Sequence, residues 1–152
     1  MILINAYFRK AIGRTEWRTF VAATVNAFYF GPFNSINICA AILSGVVFNV
    51  NRPRYMNYGA LGMVTGHEIT HGFDDQGSQR DGDGNVVDWW QPETKEKYQA
   101  KIKCMIEQYG NYTVDIKGKK VPLNGILTQG ENIADNGGVK ERFLLSFLFN
   151  RD

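Results

Sequence analysis

Apolar positions fall in blocks along this chain, and the spacing inside each block predicts an element. Residues 25–29 and 36–43 are rich in β-branched and aromatic side chains and read as strands. Gly31-Pro32 and Asn34-Ser35 make a turn-rich gap between them. From 57 to 75 the sequence is apolar with small residues interspersed, which predicts a buried helix. Its surroundings must be tight, because Gly59, Gly62 and Gly66 cost helix propensity that only close packing would offset. Residues 91–109 predict a helix with Pro92 in its first turn and a solvated Lys/Glu face. Gly118-Lys119 predicts the turn of a hairpin. Residues 131–149 predict the last helix, with Phe143, Leu144, Phe147 and Leu148 as an apolar stripe.

Candidate chemistry sits inside the first helical block. His67-Glu68-Ile69-Thr70-His71 places two imidazoles four positions apart, one above the other on one helix face, so that both can bind one metal ion. Glu68 is turned by roughly 100° from His67, beside the metal's open position rather than in its ligand set. The same string also arises on ordinary amphipathic helices. Here it holds the only two histidines of 152 residues. Zinc at a catalytic site takes three protein ligands and a water, so a third ligand must come from another element. The stretch LTQGENIADNGG offers Glu131, with Asp135 one helical turn later on the same face. Thr128-Gln129-Gly130-Glu131 also fits a capping box, which would occupy Glu131 at a helix start. Asp135 suits a carboxylate that accepts the free N–H of a ligand histidine, or else is a solvated helix acid.

Composition narrows the function. A net charge of +2 is too small to argue for nucleic acid or a basic membrane patch, and no nucleic-acid motif is present. The most apolar stretch, 36–48, is interrupted by Asn37, Ser44 and Gly45 and falls short of the roughly 20 residues a membrane span needs. Asp81-Gly82-Asp83-Gly84-Asn85 starts like a calcium loop, but Val86 replaces the required glycine, and a glycine-rich turn is the better reading. Cys39 and Cys104 lie in segments of different kinds and need not pair. Asn111-Tyr112-Thr113 is a glycosylation sequon.

VNAFY at 25–29, AAIL at 40–43, NYGALGMVTGHEITHGFDDQG at 57–77, DGNVVDWW at 83–90 and GENIADNGG at 130–138 together resemble the neprilysin and endothelin-converting-enzyme family of zinc endopeptidases. The resemblance runs from 14 to 141. It implies an α+β, thermolysin-like catalytic subdomain: a small edge sheet, a metal-binding helix and a second ligand helix. It further implies one zinc ion on His67, His71 and Glu131, with Glu68 as catalytic base and Asp135 as a catalytic acidic residue. Asn26 and Ala27 match the edge-strand residues that hold the substrate backbone. Ile42, Met63 and Val64 match positions lining the pocket for a large apolar side chain just after the cleaved bond. The implied function is hydrolysis of oligopeptides on the amino side of bulky hydrophobic residues, in a parent protein that is membrane-anchored or secreted.

Departures from the family set further expectations. Cys39 stands where a proline is usual and Ile38 where an aromatic is common, so Cys39 regains a backbone donor. Family members are several times longer, and their tail supplies a histidine, an arginine and a cysteine that pairs with the equivalent of Cys104. No histidine follows His71 here. The chain therefore reads as an aberrant or truncated start at 1–13 and a partial catalytic domain at 14–152, with Cys104 a free thiol. A non-catalytic, zinc-binding remnant is the alternative function. Ile42, Met63 and the stripe ending at Phe149 are expected to need covering partners.

Overall fold

The computed structural model describes residues 22–149, with side chains as far as Leu144. The start at 1–13 and the side chains of Phe147 and Leu148 lie outside the described residues. In chain order the elements are β1 (Ala27–Phe30), β2 (Ser35–Ile38), α1 (Arg54–His71), α2 (Pro92–Gly110), β3 (Thr113–Ile116), β4 (Lys119–Pro122) and α3 (Gln129–Phe149). Among the described residues two separate two-stranded antiparallel sheets accompany the helices, an α+β arrangement.

β1 pairs β2 with Ala27 opposite Ile38 and Tyr29 opposite Ile36. The N–H of Cys39 donates to the carbonyl of Asn26 at 3.2 Å, a bond that proline could not make. That bond puts the backbone polar groups of Asn26 toward β2. Because strand residues alternate, those of Ala27 and Tyr29 face the opposite, outer edge. The predicted second strand ran to 43, whereas β2 ends at Ile38. After Cys39 the chain coils tightly, with Ile42 N–H donating to the Cys39 carbonyl at 3.2 Å and Leu43 N–H to that of Ala40 at 3.1 Å. An unbroken apolar run carries no period that separates a strand from such a turn. Ile42 is buried against this chain's own residues, so the expectation that it needs a covering partner fails. Phe143 and Leu144 are exposed.

α1 starts after Pro53 and ends at His71, not at the predicted 75. Its end has a specific cause. The Asp74 carboxylate accepts the N–H of Gln76 at 2.8 Å and that of Gly77 at 2.7 Å, giving the backbone an alternative to further helix. The main tertiary contact is α1 on α3. Close backbone approach makes it: a Cβ at Gly138 would lie 2.6 Å from the Met63 carbonyl oxygen, and one at Gly66 would lie 3.1 Å from the Gly138 Cα. Tight packing thus explains Gly66. It does not explain Gly59, around which a Cβ would meet nothing within 4 Å.

The hairpin of β3 and β4 turns at Lys117-Gly118, one residue before the predicted pair. Both residues have positive φ, 54° and 81°, the conformation a two-residue hairpin loop demands. At 81–85 the structure is a turn, with the Asp81 carboxylate accepting the N–H groups of Asp83 and Asn85 at 2.9 Å each. α2 braces the segment that follows α1. Tyr98 reaches the carbonyls of Phe73 and Asp74 with its hydroxyl, at 2.6 and 2.9 Å, and stacks on Trp90 at 4.8 Å.

Candidate metal centre

Both histidines project from the last turns of α1 toward α3, whose first turns carry Glu131 and Asp135. The Nδ1 atom of His67 lies 2.8 Å from an Asp135 oxygen, and that of His71 lies 2.7 Å from an Asp74 oxygen. A carboxylate accepts, so each Nδ1 is the donor and each Nε2 keeps its lone pair. Those two Nε2 atoms face each other at 2.9 Å. Two lone pairs that close repel, and a cation shared between them, whether a proton or a metal ion, resolves the conflict. A Glu131 oxygen stands 3.4 Å from Nε2 of His67 and 3.7 Å from Nε2 of His71. Tetrahedral zinc with bonds of about 2.05 Å separates its ligand atoms by about 3.3 Å, and the three observed separations bracket that value. The donor set of two imidazoles and a carboxylate is also one zinc favours. Glu131 therefore faces the imidazoles, and the alternative of a capping-box glutamate is not what the geometry shows.

Electrostatics reinforce the arrangement. The Asp74 hydrogen bond raises the His71 pKa above its ordinary value, against the opposing effect of burial. Burial pushes Asp74 up, but the bond from His71 and those from the Gly77 and Gln76 N–H groups outweigh it, leaving its carboxyl below the usual range. Glu68 is only 6% exposed. Burial raises its pKa, while the nearby His67 and His71 and a hydrogen bond from the Tyr29 backbone N–H pull the other way. That N–H comes from the outer edge of β1, so the strand itself orients the carboxylate.

A cleft of about 520 Å³ contains this cluster, with Glu68, His67, His71 and Glu131 on one side and the outer edge of β1 on the other. Asn26 and Ala27 line it. The Asn26 side-chain oxygen accepts its neighbour's N–H, from Ala27, at 2.9 Å. Ile42, Met63 and Val64 do not line this cleft: Ile42 is buried, and the other two are half-buried in α1. The sequence reading had not singled out Asp74. Its spacing of three from His71, immediately past the helix end, was the available signal. Arg80 also lines the cleft and had no sequence signal at all.

A helix bearing His-Glu-x-x-His, met by a carboxylate from a second helix, defines the metallopeptidase class of centre. The chain belongs to Peptidase family M13, whose family model matches residues 26–145. It is 59% identical over 137 residues to Neprilysin-2 of Drosophila melanogaster, covering 90% of this chain and 17% of that protein. To neprilysin of Homo sapiens it is 45% identical over 135 residues, covering 89% and 18%. Among solved structures it resembles the Mycobacterium tuberculosis zinc metalloprotease ZMP1 in complex with an inhibitor, with a TM-score of 0.83 and 41% identity over 95% of this chain and 23% of that one. This chain thus spans less than a quarter of each of these proteins. Among the described residues no helix is long and apolar enough to cross a membrane.

Proposed function

We propose that this chain carries the catalytic centre of a zinc metalloendopeptidase that hydrolyses oligopeptides on the amino side of bulky hydrophobic residues. The observation that carries the reading is the convergence of two imidazole Nε2 atoms and a Glu131 oxygen on one point. His67, His71 and Glu131 would hold one zinc ion. Bound there, zinc supplies Lewis acidity and lowers the pKa of a coordinated water toward about 7.

The chain's own residues do the rest. Asp135 and Asp74 hold the two rings so that each presents Nε2. Glu68, buried and held by the Tyr29 N–H, accepts the proton of the attacking water. Its raised pKa then suits it to return that proton to the leaving amine. The outward carbonyl of Ala27 is available to an extended peptide laid along β1 as an added strand, whereas its N–H is held by the Asn26 side-chain oxygen and is released to a peptide when that carboxamide swings away. Ile42, Met63 and Val64 are assigned to the apolar pocket by family resemblance alone. An extracytoplasmic setting belongs to the same reading, supported by an exposed sequon at Asn111.

Hydrolysis of a quenched fluorescent peptide tests this. Glu68→Gln is expected to keep its zinc and lose turnover by about 10²- to 10⁴-fold. Turnover that persists in Glu68→Gln, or after a chelator has stripped the metal, contradicts the reading.

A further inference from the structure

Beyond the metal donors, the same cleft continues along β1 past Tyr29 to Gly31 and Pro32, and there it meets Arg80. The guanidinium lies against the backbone of Gly31, where a Cβ would come within 2.9 Å of its Nε. Its Nη1 donates to the Gly84 carbonyl at 2.9 Å, which anchors one end of the group. That bond fixes where the charge sits but leaves most of its five N–H donors uncommitted. Among the described residues no carboxylate pairs with it within salt-bridge distance, although Asp74 lines the same cleft. A fixed cation on a cleft wall, with none of the cleft's own carboxylates paired to it, is arranged to receive an anionic group from outside.

Distance sets where that group sits on a ligand. Along the chain, Gly31 beside Arg80 lies two residues past Tyr29, whose N–H reaches Glu68, a span of about 7 Å at ~3.4 Å per extended residue. We propose that Arg80 is a specificity-determining residue that selects peptides bearing Glu or Asp two or three residues from the cleaved bond, on the side that runs past Gly31. The inference rests on the peptidase reading for the position of the cleaved bond. A guanidinium fork matches a carboxylate with two parallel hydrogen bonds, which a lysine point charge cannot reproduce.

The test uses peptide pairs that differ only by Glu against Gln at each position within three residues on either side of the cleaved bond. With the parent chain, Glu is expected to raise kcat/KM by about fivefold to twentyfold at one position only, mostly through KM, and the ratio should shrink as salt rises. In Arg80→Gln the Glu-to-Gln ratio should fall to near unity, and Arg80→Lys should restore part of it. Fluorescence anisotropy of the same peptides on the Glu68→Gln chain gives the ratio as an equilibrium affinity. If no peptide is cleaved but Glu still binds more tightly in an Arg80-dependent way, the peptidase reading fails and the Arg80 inference stands. A Glu-to-Gln ratio near unity in the parent chain, or one that survives Arg80→Gln, overturns the inference. Because the peptide pairs perturb only the ligand, a misfolded variant cannot rescue it.

Discussion

Replacing Gly138 by alanine is expected to disable the metal centre from a position that touches no metal ligand side chain. The new Cβ would lie 2.6 Å from the Met63 carbonyl oxygen and 3.0 Å from the His67 backbone nitrogen. Ordinary contact begins at 3.4 Å, so α3 must retreat by about 0.8 Å (3.4 − 2.6), because backbone cannot rotate out of the way. Glu131 rides on α3, two turns before Gly138 on the same face. Carried back by the same amount, its oxygen would stand up to about 4.2 and 4.5 Å from the two Nε2 atoms (3.4 + 0.8 and 3.7 + 0.8 as upper bounds). That exceeds the ~3.3 Å separation that tetrahedral zinc allows. Zinc affinity, measured by competition with a chromogenic chelator, is expected to fall about 10- to 100-fold. Overpacking costs about 1–3 kcal/mol, and alanine returns about 0.5–1 kcal/mol of helix propensity, so urea unfolding of the zinc-free chain should show a net loss of about 1–2 kcal/mol. Gly59→Ala on α1 is the matched control. Its Cβ meets nothing, so it should gain about 0.5–1 kcal/mol and leave zinc affinity unchanged. A Gly138→Ala chain that binds zinc as tightly as its parent would refute the claim that this backbone contact sets the donor geometry.

The carboxylates behind the histidines should act similarly but without the steric cost: Asp74→Asn and Asp135→Asn are each expected to weaken zinc about 10- to 100-fold in the same competition assay. Proton competition supplies a pH signature. Asp74 raises the His71 pKa, so in the parent chain zinc affinity should begin to fall, on acidification, at a higher pH than an ordinary histidine would give. Asp74→Asn should move that onset to lower pH even as it weakens binding; an unmoved onset in a pH titration would break the link. Thiol labelling should find one reactive cysteine in the native chain, exposed Cys104, and both only after unfolding, since Cys39 is 0% exposed. Equal labelling rates for the two would contradict the buried placement of Cys39.

How far these features were legible in the sequence depends on the range of the interaction that made them. Local ones were readable. The helical spacing of His67 and His71, Pro92 at a helix start and the hairpin near Gly118 all follow from short-range chemistry. Glu131 and Asp135 were legible as candidates, but only the packing of α1 on α3 shows that Glu131 faces the imidazoles rather than capping its own helix. The end of α1 was missed because the Asp74 carboxylate, a side chain beyond the helix, takes over the backbone N–H groups of the next turn. The early end of β2 was missed because apolar residues in a compact turn and in a strand look alike without a period. Arg80 was invisible for a third reason. Its place in the cleft depends on the fold bringing the loop after α1 against Gly31, and nothing near it in sequence marks that approach.

X-ray absorption at the zinc edge on the purified, zinc-loaded chain reads out the donor atoms themselves. One zinc per chain is expected, with a shell of two imidazole nitrogens and carboxylate or water oxygen at about 2.0–2.2 Å and no sulfur. In a His67→Ala, His71→Ala double variant that shell should vanish together with the zinc. A sulfur shell at about 2.3 Å, or the same spectrum and stoichiometry from the double variant, would contradict the claim that these helices were brought together to hold a metal.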